Sequence, residues 1–265
     1  MVVKIDGEQH EPTIVLLPGL GAASPVLLYK PLVETLMDKY RVVTMEPFGY
    51  GLSDIIDEER TVENIVSELH TAISKLGIKK YYLMGHSLGG LYSLYWSNQH
   101  TSEVLGFIGL DITPPHFDDY VKPSSSAYKL VSVLDYLGLD RMLSLFNNRK
   151  LLISLYPNYD YTDEEIKMFR IITLQRGYNK VILKEDAATL ENLITVKAMK
   201  FPANISVINY ISSGNVKVYS FWKQLHIDVG SESISNEVIE LSGNHLYFAV
   251  DNKDEIAKKI KSWTK

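Results

Sequence analysis

The sequence predicts an α/β protein, a mostly parallel, doubly wound sheet with a helical insertion, and three observations carry that prediction. Short apolar, β-rich runs alternate with helix-patterned segments over residues 1–112. From about Thr113 to Lys200 the strand-like runs stop, and helical patterns rich in aromatics take their place. The alternation then resumes over 201–265. The expected division is a core of 1–112 and 201–265, with 113–200 inserted as a helical cap or lid.

The elements follow in order. Val2–Asp6 reads as a short leading strand and Thr13–Leu17 as a buried one. Pro31 suits the first turn of a helix carrying Leu32, Val33, Leu36 and Met37, and Arg41–Met45 is the next strand. Thr61–Gly77 is the cleanest helix: Val62, Ile65, Val66, Leu69, Ile73 and Leu76 share one face, with Thr61 to cap its start and Gly77 its end. Lys79–Met84 is a buried strand, Leu88–Gln99 a helix free of Pro, and Val104–Leu110 a strand stopped by Pro114 and Pro115. In the insertion, most aromatics between Tyr120 and Tyr178 are expected to pack the cap onto the core. Ile205–Ile211, a helical piece around Lys217–Leu225, the strand Val238–Leu241 and a last helix with Ile256, Ile260 and Trp263 on one face complete the chain.

Composition narrows the function classes. A net charge of −5 supplies no basic face for nucleic acid or an anionic membrane. The absence of cysteine removes disulfides, thiolate metal sites and a cysteine nucleophile. The first residues, Met1-Val2-Val3-Lys4-Ile5-Asp6-Gly7, lack the long uncharged core of a signal peptide, and no run is long enough to span a bilayer. A cytoplasmic protein acting on a small molecule, without metal or organic cofactor, is the expectation.

Chemistry concentrates at Gly85-His86-Ser87-Leu88-Gly89, between a strand and a helix. A G-x-S-x-G spacing there permits a turn too tight for neighbouring side chains, and it thrusts the serine out above the sheet. The helix N-terminus beneath it and the free N–H of Leu88 favour an oxyanion at that point. With this elbow, the chain resembles the α/β-hydrolase-fold superfamily, in particular its capped, esterase- or lipase-like serine hydrolases. Leu17-Pro18-Gly19-Leu20-Gly21 sits where that family carries its oxyanion loop, with Pro18 in place of a frequent His. The resemblance gives the second oxyanion N–H to Leu20. Gly49-Tyr50-Gly51-Leu52-Ser53-Asp54 matches the family's structural G-x-G-x-S-D loop.

The resemblance also places the base. His245, in Ser242-Gly243-Asn244-His245, follows the last strand, where the family keeps its catalytic histidine. His86 is read as a packing residue, and His116 as packing or lining the pocket. His10, His70, His100 and His226 are read as surface or loop residues with no metal-partner pattern. The acid is an open choice. Similar enzymes usually supply it after the strand that is here Ile205–Ile211, but Ser212-Ser213-Gly214-Asn215 follows, with no carboxylate. Asp111, one strand earlier, is preferred; Asn215 as a neutral orienter and Asp228 come after it. The implied activity is cleavage of a carboxylic ester or related acyl bond through an acyl-enzyme. The aromatic-rich insertion hints at an apolar acyl substrate. A serine at the elbow disfavours the carboxylate-nucleophile chemistry of dehalogenases and epoxide hydrolases. The missing carboxylate motivates an alternative: a non-catalytic or weakly catalytic small-ligand-binding protein on the same scaffold.

Overall fold

The computed structural model describes residues 1–120 and 159–264. Tyr128, Tyr136, Phe146 and Tyr156 of the insertion therefore lie outside the described residues. Seven strands among them form one sheet: β1 Val2–Asp6, β2 Thr13–Leu17, β3 Arg41–Glu46, β4 Tyr81–His86, β5 Val104–Leu110, β6 Ser206–Ser212 and β7 Ser235–Leu241. Their spatial order is β1-β3-β2-β4-β5-β6-β7. Only the edge strand β1 is antiparallel; every other pairing is parallel.

Among the described residues the α-helices in chain order are α1 Pro25–Leu28, α2 Lys30–Glu34, α3 Val62–Lys75, α4 Leu88–Gln99, α5 Asp163–Arg176, α6 Lys180–Val196, α7 Ser213–Val218, α8 Trp222–Val229, α9 Phe248–Asp251 and α10 Lys253–Trp263. Interior parallel strands are covered on both faces, so β2 to β5 read as apolar runs and their side chains divide by alternation. Val15, Leu17, Leu83 and Phe107 pack against α3 and α4. Ile14, Leu16, Met84 and Ile108 pack with Leu32, Phe248, Ile256 and Ile260 on the opposite face. α5 and α6 lie between β5 and β6 in the chain and are held to the core by polar contacts. Arg176 donates to Gly51 O at 2.9 Å, and the Asn192 side chain bonds Val62 N and Arg60 O at 2.8 and 3.0 Å.

Several boundaries differ from the sequence reading, each for a local reason. β4 begins at Tyr81 rather than Lys79 and runs to His86, because its pairing with β5 continues to His86↔Leu110. β7 begins at Ser235 rather than Val238; as an edge strand it is half-buried, and its polar residues Asn236 and Glu237 hide the strand pattern. The helix expected from Pro31 is the short α2, which ends at Glu34 before Leu36 and Met37, with α1 an additional turn ahead of it, and the one around Lys217–Leu225 splits into α7 and α8. Leu76 is the C-cap of α3 and is exposed rather than buried with Ile73, while Gly77 beyond it adopts φ +73°. Thr61 caps the same helix by accepting from Asn64 N at 3.3 Å.

Leu69 is fully buried at the centre of the α3 face. Leu69→Ala is expected to lower the unfolding free energy by about 3 kcal/mol, read from urea denaturation of the two proteins. A loss well below about 1 kcal/mol would show that α3 is not a principal cover of the sheet.

Candidate active site

Parallel strands end together, so the residues just past β4, β5 and β6 meet along one sheet edge. Ser87 follows β4 with φ +51°, a left-handed conformation that a serine holds only where the turn demands it. Its neighbours explain the demand. A Cβ on Gly85 would stand 2.6 Å from Gly89 O, and one on Gly89 would collide with the Leu17 carbonyl. The Ser87 carbonyl is held by Gly90 N and Thr113 N, both at 3.0 Å. Leu88 opens α4, and the first amides of a helix have no partner within it.

Asp111 follows β5, also with positive φ (+49°), and is completely buried. Its carboxylate accepts from five donors. Trp222 Nε1 and Ser212 N reach Oδ1 at 2.7 and 2.9 Å. Ser212 Oγ, Asn215 Nδ2 and His245 Nδ1 reach Oδ2 at 2.7, 2.9 and 2.8 Å. Burial works to raise this pKa, but the hydrogen bond and charge of His245, joined by the Ser212 hydroxyl and amide, outweigh it and hold the carboxyl below its usual value. Asp111 is thus a buried anion with most of its lone pairs taken.

The segment after β6 acts as a brace. Ser212 and Asn215 hold Asp111, while Gly214 N donates to Gly243 O at 2.9 Å and Gly243 N to Ser213 Oγ at 3.3 Å. Those last two bonds fix the loop that carries His245. Asn215 lies 3.4 Å from His245 Nδ1 and spends its amide on Asp111. Asp228, the third choice for the acid, is exposed on α8 and accepts from Gln224. With Nδ1 facing Asp111, His245 leaves Nε2 for another partner.

His86 is the contact that sequence reasoning missed. Its Nε2 lies 3.0 Å from the His245 carbonyl oxygen, which can only accept, so Nε2 carries the proton. Nδ1 then accepts from the Tyr29 hydroxyl at 2.9 Å. The His86 and His245 rings stack at 4.9 Å. Burial, reinforced by the nearby charge of His245, lowers the His86 pKa to about 4, so the ring is neutral near neutral pH. Tyr29, in the turn between α1 and α2, is thereby tied through His86 to the His245 loop.

Ser87, Leu20, Leu88, His86, Tyr29 and His245 line one cavity of about 550 Å³. α5 and α6 contribute Phe169, Thr173, Asp186, Thr189 and Leu193 to its far wall. Among the described residues no hydrogen bond joins Ser87 Oγ to His245; what the two share is the cavity wall. His116 does not reach it: half-exposed, it pairs with Asp119 at 2.9 Å. His226, read from sequence as a surface or loop residue, is wholly buried and donates Nδ1–H to Trp222 O at 2.8 Å.

Comparison with known proteins agrees with this architecture. The family model for the alpha/beta hydrolase fold matches residues 12–146. The chain belongs to the α/β hydrolase fold family. It is 26% identical over 218 residues to the uncharacterized protein YbdG of Bacillus subtilis, an alignment covering 76% of this chain and 64% of that protein. It is 36% identical over 93 residues to 3-oxoadipate enol-lactonase 1 of Acinetobacter baylyi, covering 35% of this chain and 34% of the other. The chain thus spans less than two thirds of either curated relative. Among solved structures, Cfl2 from Burkholderia cenocepacia superimposes with a TM-score of 0.72 at 15% identity, covering 99% of this chain and 92% of that one.

The neutral His86 carries a pH signature. Between about pH 6.5 and 4 the unfolded chain binds a proton at this position that the folded chain does not. Stability therefore falls as pH drops through that window, by about 3 kcal/mol from this residue. In His86→Gln, whose amide can serve the same two partners, that part of the slope is expected to vanish from urea midpoints taken across the window. An unchanged slope would mean that His86 is protonated in the fold.

Proposed function

We propose that the chain is a serine hydrolase that cleaves a carboxylic ester or a related acyl bond, with Ser87 as nucleophile, His245 as base and Asp111 as acid. The observation that carries this reading is the 2.8 Å bond from His245 Nδ1 to a buried, five-donor carboxylate. That bond fixes the tautomer whose Nε2 can accept a proton, and it stabilises the imidazolium that results. A serine hydroxyl needs such a base, since its own pKa leaves it a weak nucleophile.

In this reading Ser87 Oγ adds to the substrate carbonyl as Nε2 takes its proton. The amides of Leu20 and Leu88 receive the developing oxyanion. The tetrahedral adduct collapses, the C–O bond to the leaving group breaks, and the imidazolium returns the proton to the departing oxygen. Water repeats the sequence in reverse on the acyl-enzyme, releasing the acid and restoring Ser87. The neutral His86, donating to the His245 carbonyl, would hold the base's loop without competing for the proton.

Residues 113–200 would form the cap over this edge, with α5 and α6 giving the cavity its far wall. The lining joins apolar Leu20, Leu28, Phe117, Phe169 and Leu193 to Thr113, Thr173 and Thr189. It suits a small or medium, largely apolar acyl group. A lactone is an internal ester and falls in the same class; the matched stretch of 3-oxoadipate enol-lactonase 1 makes it the first cyclic substrate to try. The alternative of a ligand-binding protein rests on the missing carboxylate after β6; the bonds that Asp111, from the end of β5, makes to Ser212 and His245 support the hydrolase reading over it.

A fluorophosphonate probe, which acylates activated serines, is expected to label the wild type at Ser87 and not to label Ser87→Ala; an unlabelled wild type would favour the binding protein. On activated esters of graded acyl length and a simple lactone, Asp111→Asn is expected to lower kcat by about 10⁴-fold. Asn215→Ala, losing one bond to the carboxylate, should cost at most about thirtyfold. The reverse ranking would move the orienting role to Asn215.

A further inference from the structure

A second cluster of titratable groups lies at the other end of α4, and nothing in the chemistry above uses it. His70 sits on α3, His100 caps the C-terminus of α4, and Glu103 follows in the turn before β5. His70 Nε2 is 2.9 Å from Glu103 Oε2, and His100 Nδ1 is 3.8 Å from Glu103 Oε1. One ligand atom from each residue can be chosen so that all three lie within 4.8 Å of one another. The two imidazole rings stack at 3.6 Å and 12°, so both present their edges to one carboxylate.

We propose that His70, His100 and Glu103 form a binding site for a divalent transition metal, of which Zn²⁺ is the natural probe. Two nitrogens at 2.0–2.1 Å and an oxygen at 2.0–2.2 Å from a tetrahedral Zn²⁺ stand about 3.4 Å apart. His70 lies 2.9 Å from Oε2 and His100 3.8 Å from Oε1, so the two oxygens of the one carboxylate stand on either side of that spacing. Closure needs the partly exposed rings to tilt out of their stack until their in-plane lone pairs converge, which rotation about the side-chain bonds supplies. A two-nitrogen, one-carboxylate set selects Zn²⁺, Cu²⁺ or Ni²⁺ over Mg²⁺ and Ca²⁺.

Buried neighbours hold the carboxylate of the site in place. Glu103 Oε2 also accepts from the Tyr81 hydroxyl at 2.8 Å, and that hydroxyl accepts from Trp96 Nε1 at 2.9 Å. Tyr81 and Trp96 are completely buried. The His70 ring meets Trp96 edge-on at 5.8 Å and 81°. A ligating carboxylate held by an outer hydrogen bond is the usual construction of a protein metal site. Glu63 and Ser67 of α3 line the same shallow hollow.

The sequence showed no such pattern because the ligands come from positions 70, 100 and 103 and meet only when α3 packs on α4. Ser87 precedes the first residue of α4, so the site stands about 18 Å, one twelve-residue helix, from the elbow. Its role would be a clip joining α3 to the turn between α4 and β5, independent of the reaction at Ser87.

Calorimetric titration of the tag-free, metal-stripped protein with Zn²⁺ tests it, with Co²⁺ absorption as a report on coordination. One equivalent is expected to bind in the micromolar range and to raise the melting temperature with the same concentration dependence. His70→Gln and His100→Gln should each keep the metal-free melting temperature and weaken Zn²⁺ by about tenfold or more. No binding at micromolar Zn²⁺, or an affinity unchanged in either histidine variant, would overturn the proposal.

Discussion

A single buried carboxylate organises the edge of the sheet that carries the candidate site. Asp111 is an anion with no exposure, and a charge so placed is tolerable only when its oxygens are fully bonded. Trp222, Ser212, Asn215 and His245 meet that need, and in meeting it they are themselves fixed. The end of β5, the turn after β6, the start of α8 and the loop after β7 are thereby drawn to one point. The parallel sheet makes this possible, because β5 and β6 deliver their ends side by side.

The second constraint is the elbow. Strand β4 must pass into α4 within one residue, and Ser87 takes a positive φ to do it. Gly85 leaves room for the first turn of α4, and Gly89 leaves room for the backbone after β2 to approach. That approach brings Gly19 beside Ser87, and the Tyr29–His86 pair carries bonds across to the His245 carbonyl. Two separate sets of bonds thus hold the histidine: Asp111 at the ring and His86 at the carbonyl.

Much of the scaffold was legible in the sequence, and for definite reasons. β2, β5 and α4 announce themselves because strands buried on both faces are continuously apolar and a Pro-free run follows the elbow. The elbow itself was legible because backbone sterics permit only Gly around that turn. The partner of the His245 ring was legible only as a choice among Asp111, Asn215 and Asp228, since a strand-end carboxylate looks alike whether or not an imidazole faces it. The braces were not legible at all. Trp222, Tyr29 and Ser212 reach the site through contacts that span long stretches of chain, and no periodicity encodes them. β7 was foreshortened because a half-covered edge strand tolerates polar residues, and His226 was placed outside because burial of a lone histidine leaves no local trace.

The hydrogen bond between Asp111 and the His245 ring is where the account is most exposed, and proton NMR sees it directly. A ring Nδ1 proton shared with a buried carboxylate resonates far downfield of ordinary amides and exchanges slowly. That resonance is expected in the wild type, expected to persist in Asn215→Ala, and expected to disappear in Asp111→Asn. A downfield imidazole proton that survives the loss of the Asp111 carboxylate would contradict the account.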